Sequence, residues 1–324
     1  MNPRYLALAA LAGMLGCQRC SSPSGDLDGG SARSPADLDA ASTSSPSAGA
    51  TAASANGAPV AADVPEVRDT GRGRATAALR AVLQAYGIAF DAEKIERECQ
   101  VDEDGASLDD LEDVAVKYGL EAGSVIVPVE HVLLPAAKML PAIVIADAPE
   151  DEEDFVVAWR LEGDRVEIMD PREGRRWVAR SELQKSLYVH EMAMPADEYR
   201  EAMAGTDFGD ALRARMAAVG VGPEGAQALL DRAAADPGWR GLGALDAAVR
   251  GLEAAPSIPD GGAGERLPAL FACAFEKRCE GADKVPPALW SVRPAPKGRD
   301  GEAQVQVRGA LLLAISGRRA PEAP

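Results

Sequence analysis

Residues 153–171, EDFVVAWRLEGDRVEIMDP, decide the fold. The residues on either side of Glu162-Gly163-Asp164 are rich in β-branched and apolar types, and these three supply turn chemistry, so the stretch predicts a β-hairpin. Asp154 opens the first strand and Asp170 closes the second. Antiparallel pairing therefore brings both carboxylates to the same end of the hairpin.

An apolar hairpin needs a packing partner, and the best one in the sequence is residues 75–87, ATAALRAVLQAYG. Its large residues recur at helical spacing and form one apolar stripe. Two more helices are predicted at 91–99 and from residue 107 to a stop at Gly119. Short strands are predicted at 124–128, 142–146 and 177–179, and a short helix at 180–187. We therefore expect an α+β domain at residues 64–194, with helices packed on an antiparallel sheet.

Composition excludes several function classes. The chain has 324 residues, of which 47% are apolar, which is enough for a sizeable core. Its net charge of −17 argues against nucleic-acid binding, because phosphate contacts need a basic surface. The five cysteines show no CxxC or Cys/His spacing, so no metal site is expected. No glycine-rich phosphate motif is present, so no cofactor is expected.

The N-terminal residues 1–17, MNPRYLALAALAGMLGC, predict a signal peptide, because a short apolar run follows Arg4. Met14-Leu15-Gly16-Cys17 is similar to the bacterial lipobox, which predicts lipidation of Cys17 and a membrane anchor at the cell envelope, on its periplasmic or outer-membrane side. An ordinary signal peptide with an unmodified cysteine is the alternative. Residues 18–63 are Ser/Ala/Gly/Pro-rich and predict a disordered linker, serving either as a tether or as low-complexity filler.

The C-terminal half has a different pattern. Residues 195–255 predict a mainly helical region, with Trp239 as a packing anchor. Residues 256–324 predict a further helix and a strand at 304–315. Cys273 and Cys279 are six residues apart, so they can form a disulfide with each other only if the helix ends between them.

Residues 75–122, the run LPAIVIA (140–146) and residues 154–183 resemble peptidase family C39 in order and spacing. This is the papain-like domain that cleaves leader peptides from bacteriocins and usually precedes the membrane domain of an ABC exporter. The resemblance implies a papain-like fold, a peptide ligand and an exporter-type complex as partner.

The resemblance also assigns positions to the family's catalytic groups. The family's nucleophilic cysteine falls at Arg74, its oxyanion-hole glutamine at Arg68 and its general-base histidine at Asp154. The aspartate that orients the histidine is retained as Asp170. Arginine offers no nucleophilic lone pair near neutral pH, and a carboxylate cannot replace the imidazole, so we expect no proteolysis from these residues.

Other candidate groups do not restore the catalytic pattern. Cys99 lies beyond the first helix and is expected on its helix's apolar side, while His131 and His190 match no family position and are expected to be surface or half-buried residues. Arg74 is expected to pair with Asp154 or Asp170, either as a purely structural ion pair or in a cleft that still accepts a peptide. The acidic run 149–154 is interpreted as a solvated turn, with attraction of basic peptides or of a hard cation as the alternative.

Three functions remain open from the sequence. The first is a cell-envelope lipoprotein whose C39-like domain binds a peptide or a partner without cleaving it. The second is an active C39 cysteine peptidase with a nucleophile at another position. The third is a lipoprotein with only a scaffold role.

Overall fold

A computed structural model describes residues 59, 62–99, 101, 105–147, 153–254, 262–276, 285–298 and 301–319. The expected signal peptide with Cys17, nearly all of the linker 18–63, the acidic residues 149–152 and Cys279 lie outside these residues.

Most of the helices lie where the sequence predicts them, and the short helix at Val129–Val132 was not predicted. They are α1 Arg74–Ala85, α2 Ala92–Glu98, α3 Leu108–Lys117, α4 Val129–Val132, α5 Arg180–Ser186, α6 Ala196–Met203, α7 Thr206–Ala218, α8 Pro223–Ala234, α9 Arg240–Glu253 and α10 Gly262–Glu276. Two single-turn 3₁₀ helices lie at Pro135–Ala137 and Pro287–Leu289. Within the described residues, no helix is both long and apolar enough to cross a bilayer.

The strands form one antiparallel sheet. They are β1 Leu120–Val127, β2 Ala142–Asp147, β3 Glu153–Glu162, β4 Arg165–Asp170, β5 Gly174–Ala179, β6 Val189–Pro195, β7 Val292–Ala295 and β8 Gln304–Arg318. The order across the sheet is β1-β8-β2-β3-β4-β5, and β6 and β7 pair with the first part of β8. The expected α+β class, with helices on an antiparallel sheet followed by a mainly helical region, is confirmed.

The predicted hairpin is present as β3 and β4, with Val157 opposite Met169. Its turn contains Gly163 at a φ of 60°, in the left-handed region that glycine adopts without strain. Helix α1 packs on β3, and Leu79, Val82 and Leu83 are completely buried there. Each such aliphatic side chain stabilises the fold by roughly 1.5–3 kcal/mol.

Local capping explains where the next helices begin. The Asp91 side chain accepts a hydrogen bond from the Lys94 backbone N–H at 3.1 Å. Ser107 and Asp110 form a capping box at the start of α3. Gly119, with a φ of 88°, ends that helix as the sequence predicts.

The position of β8 is the main feature that sequence reasoning missed. The expected strand at 304–315 exists, but it lies in the interior of the sheet, with Leu313 opposite both Ser124 of β1 and Ile143 of β2. Its first part pairs with β6, where Met194 lies opposite Val305. The sheet therefore combines strands from both sides of the boundary expected at residue 194.

A buried charge cluster joins the helical region to the sheet domain. Arg215 of α7 is 3% exposed and donates to Asp246 of α9 at 2.6 Å, and its Nη1 lies 3.0 Å from Nε2 of His131 in α4. Arg215 also makes a two-bond contact with Glu253, at 2.9 and 2.6 Å. His131 was expected at or near the surface, and this is wrong, because Arg215 and the Phe208 ring cover it.

The electrostatics of this cluster follow from its burial. Burial acts to raise the pKa of Asp246, but Arg250, Arg215 and the hydroxyl of Ser291 together hold it well below its usual range. Burial lowers the pKa of His131 to about 3, although Asp246 acts in the opposite direction. His131 is therefore neutral near pH 7.

Candidate functional site

The candidate site lies where α1 begins and the hairpin strands meet. Arg74 is the first residue of α1, after Gly73 at the N-cap position. Asp154 is the second residue of β3 and Asp170 is the last of β4. The register of the hairpin brings the two carboxylates to the same end, as the sequence predicts.

Asp154 is held between two guanidinium groups. Its Oδ1 lies 2.8 Å from Nε of Arg74, and its Oδ2 lies 3.1 Å from Nε of Arg172. The side chains of Arg74 and Asp154 are only 19% and 10% exposed. At this burial water screens the attraction between the two groups less than in an exposed pair, but the desolvation of both groups offsets part of the gain.

The carboxylate of Asp170 is engaged by its own turn. Its Oδ1 accepts hydrogen bonds from the backbone N–H groups of Arg172 at 2.8 Å and Glu173 at 3.3 Å. Its Oδ2 lies 3.3 Å from Nη2 of Arg176. Asp170 therefore shapes the connection between β4 and β5 in this structure.

Arg68, at the expected oxyanion-hole position, lies over the same turn. It pairs with Glu66 and donates to the carbonyl of Glu173 at 3.1 Å. Gly174 lies directly beneath it, since a Cβ at that position would approach the Arg68 guanidinium to 2.5 Å. Gly174 also has a φ of 87°, so both space and backbone conformation require glycine there.

The remaining thiols and imidazoles lie elsewhere. Cys99 is buried in the core under α1, as expected, and burial raises its pKa to about 12, with Asp110 and Glu98 adding to the effect. Cys273 is disulfide-bonded, and its partner lies outside the described residues. His190 is on β6, with its Nδ1 3.4 Å from the Tyr188 hydroxyl. At neutral pH the Cys99 thiol is protonated and offers no thiolate.

Sequence reasoning missed two site residues, Arg172 and Arg176. A signal for Arg172 was available, because extending the hairpin register by three pairs from Val157 and Met169 places position 172 opposite position 154. Arg176 depends on the tight turn after Asp170, for which the sequence offered only Pro171 and Gly174. The described part of the chain has no group of three or more His, Cys, Asp or Glu residues placed to hold a metal ion.

The site consists of charged side chains that are held in ion pairs. The guanidinium groups of Arg74, Arg172 and Arg176 face the carboxylates of Asp154 and Asp170. A guanidinium group presents its N–H donors in a rigid planar fork, so these pairs have a defined geometry. Such fixed charges of both signs can orient the polar groups of a ligand.

Comparison with known proteins agrees with the predicted resemblance. Residues 70–196 match the sequence model of the peptidase C39 family. One similar solved structure is a double-glycine-motif protease from an AMS/PCAT transporter, in complex with the leader peptide. It is 25% identical with a TM-score of 0.35, and the match covers 40% of this chain and 91% of that one.

A second similar structure is the peptidase domain of Streptococcus ComA, a bifunctional ABC transporter involved in a quorum-sensing pathway. It is 17% identical with a TM-score of 0.35, over 38% of this chain and 92% of that one. No curated protein sequence matches the chain. The predicted resemblance is confirmed, because the peptidase C39 family model matches residues 70–196, the part of the chain in which the resemblance was predicted.

Proposed function

We propose that this protein is an exported, lipid-anchored C39-type pseudo-peptidase, which binds a peptide at the start of α1 and does not cleave it. The observation that carries the proposal is the ion pair between Arg74 and Asp154, at 2.8 Å, at the positions where the family resemblance places the nucleophile and the base.

The chemistry of the pair supports the loss of cleavage. A helix N-terminus stabilises a thiolate, and an adjacent imidazole keeps it available for attack. Here the helix begins with a guanidinium, and a carboxylate compensates its charge. Asp170 is retained, but its oxygens are used by backbone N–H groups and by Arg176, so it orients no histidine.

Peptide binding is supported by the retained framework of a peptidase family and by partial access to the site. The side chains of Arg74, Asp154 and Asp170 are 19%, 10% and 10% exposed, so solvent still reaches each of them. Charged groups held by several contacts lose little entropy when a ligand binds, which favours recognition of a peptide main chain. The ligand class implied by the family is a leader peptide with a double-glycine motif, presented by an exporter-type complex.

Envelope localisation is part of the same proposal. It rests on the signal-peptide and lipobox-like pattern that ends at Cys17, and on the linker pattern of residues 18–63. The disulfide at Cys273, in α10, accords with an oxidising compartment. Lipidation predicts that the expressed chain incorporates labelled palmitate, that C17S abolishes the label and that C20S leaves it.

The test of binding uses the exported chain and a fluorescent double-glycine leader peptide. We expect saturable binding by anisotropy and an intact peptide by mass spectrometry after prolonged incubation. R74E, which places a like charge beside Asp154, should weaken binding, while R97E on exposed α2 should not. Cleavage by the unmodified chain would refute the loss of activity, and absence of binding would reduce the pair to a structural role.

A further inference from the structure

A cavity of about 320 Å³ lies in the C-terminal half of the chain, outside the family match. It is bounded by the start of α9, the end of α10 and the segment that enters β7. Its volume falls within the usual range for small-molecule sites, about 300–1,000 Å³.

Two tryptophans form its aromatic walls. Trp239 and Trp290 meet edge to face, with ring centroids 6.5 Å apart. Both are only half-buried, because each packs on the core on one side and lines the cavity on the other. Gly243 allows this packing, since a Cβ there would lie 2.4 Å from Val292 and 3.5 Å from the Trp239 ring. The cavity thus offers flat apolar surface.

The charged residues in the described lining of the cavity are both basic. The charged side chains among its described lining residues are Arg240 and Arg293, in a chain whose net charge is −17. Arg293 is exposed and makes no ion pair within the described residues. Two guanidinium groups, with no carboxylate among the described lining residues, favour an anionic ligand.

Arg240 is held in place before any ligand arrives. Its Nε donates to the carbonyl of Phe275 at 2.9 Å, and its Nη2 donates to that of Ala274 at 2.6 Å. Its guanidinium carbon lies 5.2 Å from the centre of the Trp290 ring. Within the described part of the chain, Nη1 has no hydrogen-bond partner, so it remains able to donate to a ligand.

We propose that this cavity binds a small aromatic carboxylate. The ring of the ligand lies against Trp239 and Trp290, and its carboxylate accepts hydrogen bonds from Arg240 and Arg293. The site is separate from the proposed peptide-binding function and does not depend on it.

Isothermal titration of the full chain with indole-3-acetate and with indole-3-acetamide tests the proposal. The two probes share one ring and differ in charge, so we expect the carboxylate to bind at least about tenfold more tightly. R293Q and R240Q should each weaken binding of the carboxylate severalfold. R232Q is the matched control, because Arg232 is exposed and lies outside the cavity lining.

If R240Q does not fold, R293Q alone tests the proposal, because Arg293 is exposed and its replacement leaves no buried group unpaired. Three results would overturn the proposal. These are no saturable binding of indole-3-acetate up to millimolar concentration, equal affinity for the amide, and unchanged affinity in the folded R293Q chain.

Discussion

Replacing Arg215 by methionine tests how much the buried charge cluster of Arg215, Asp246 and His131 contributes to stability. The substitution removes the bonds to Asp246 and His131 and the two-bond contact with Glu253, while methionine keeps a similar unbranched stem and helix propensity. Asp246 is completely buried and, among the described residues, would keep Arg250, at 3.4 Å, as its one ion-pair partner.

The magnitude follows from that burial. Breaking a buried ion pair from one side typically costs about 3–5 kcal/mol, because a charge remains in a medium that solvates it poorly. Glu253 is 29% exposed and can be rehydrated, so Asp246 accounts for most of the cost. We therefore expect R215M to lower the free energy of unfolding by roughly 3–5 kcal/mol.

Urea unfolding followed by circular dichroism and by tryptophan fluorescence measures this loss. The matched control is R213M on the same helix, because Arg213 is 39% exposed and, in the part of the chain that the structure describes, its ion pair is with Asp210 alone. We expect R213M to cost less than about 1 kcal/mol. In a double-mutant cycle, R215M and D246N together should cost less than the sum of the two by about 1–3 kcal/mol. Equal losses in R215M and R213M would refute the reasoning.

Three further outcomes are expected. The unfolded state binds a proton at His131 below pH 6.5, whereas the folded state binds one only near pH 3. The free energy of unfolding should therefore decrease as the pH is lowered from 6.5 to 3, by about 1 kcal/mol per pH unit more than in H131Q. Parallel curves for the two proteins would contradict this. Deleting residues 304–318 should abolish cooperative unfolding, because β8 lies between β1 and β2 in the sheet. Deleting residues 1–58 should leave it intact. A native-like transition without residues 304–318 would be inconsistent with the observed sheet. In a C17S/C20S background, the thiol introduced by R74C should have a lower pKa when D154H places an imidazole beside it. The pH dependence of alkylation measures this pKa. Equal values in R74C and R74C/D154H would show that position 154 does not face position 74.

Sequence reasoning recovered the elements whose cause is local. The hairpin 153–171 follows from its β-branched residues and its turn, and α2 and α3 begin at the caps that Asp91 and Ser107 provide. The pairing of Arg74 with Asp154 could be expected once the hairpin register and the helix position were known.

What sequence reasoning missed depends on contacts between distant segments. The run 304–315 predicts a strand by its apolar pattern, but nothing local indicates that its neighbours are β1 and β2. His131 has the pattern of an exposed residue, and only the approach of α7 and α9 buries it. Arg176 reaches Asp170 because β5 turns back directly after β4.

The interior position of β8 means that the sheet can be completed only after the last strand has been synthesised. Roughly 180 residues separate β1 from β8, and at a translation rate of about 5–20 residues per second the ribosome needs roughly 10–35 s to make them. During that interval the facing edges of β1 and β2 lack the strand that belongs between them, and open edges invite pairing with other chains. A newly made molecule therefore passes through a vulnerable period that ends only when β8 emerges, and chaperones that shield strand edges would act in that period.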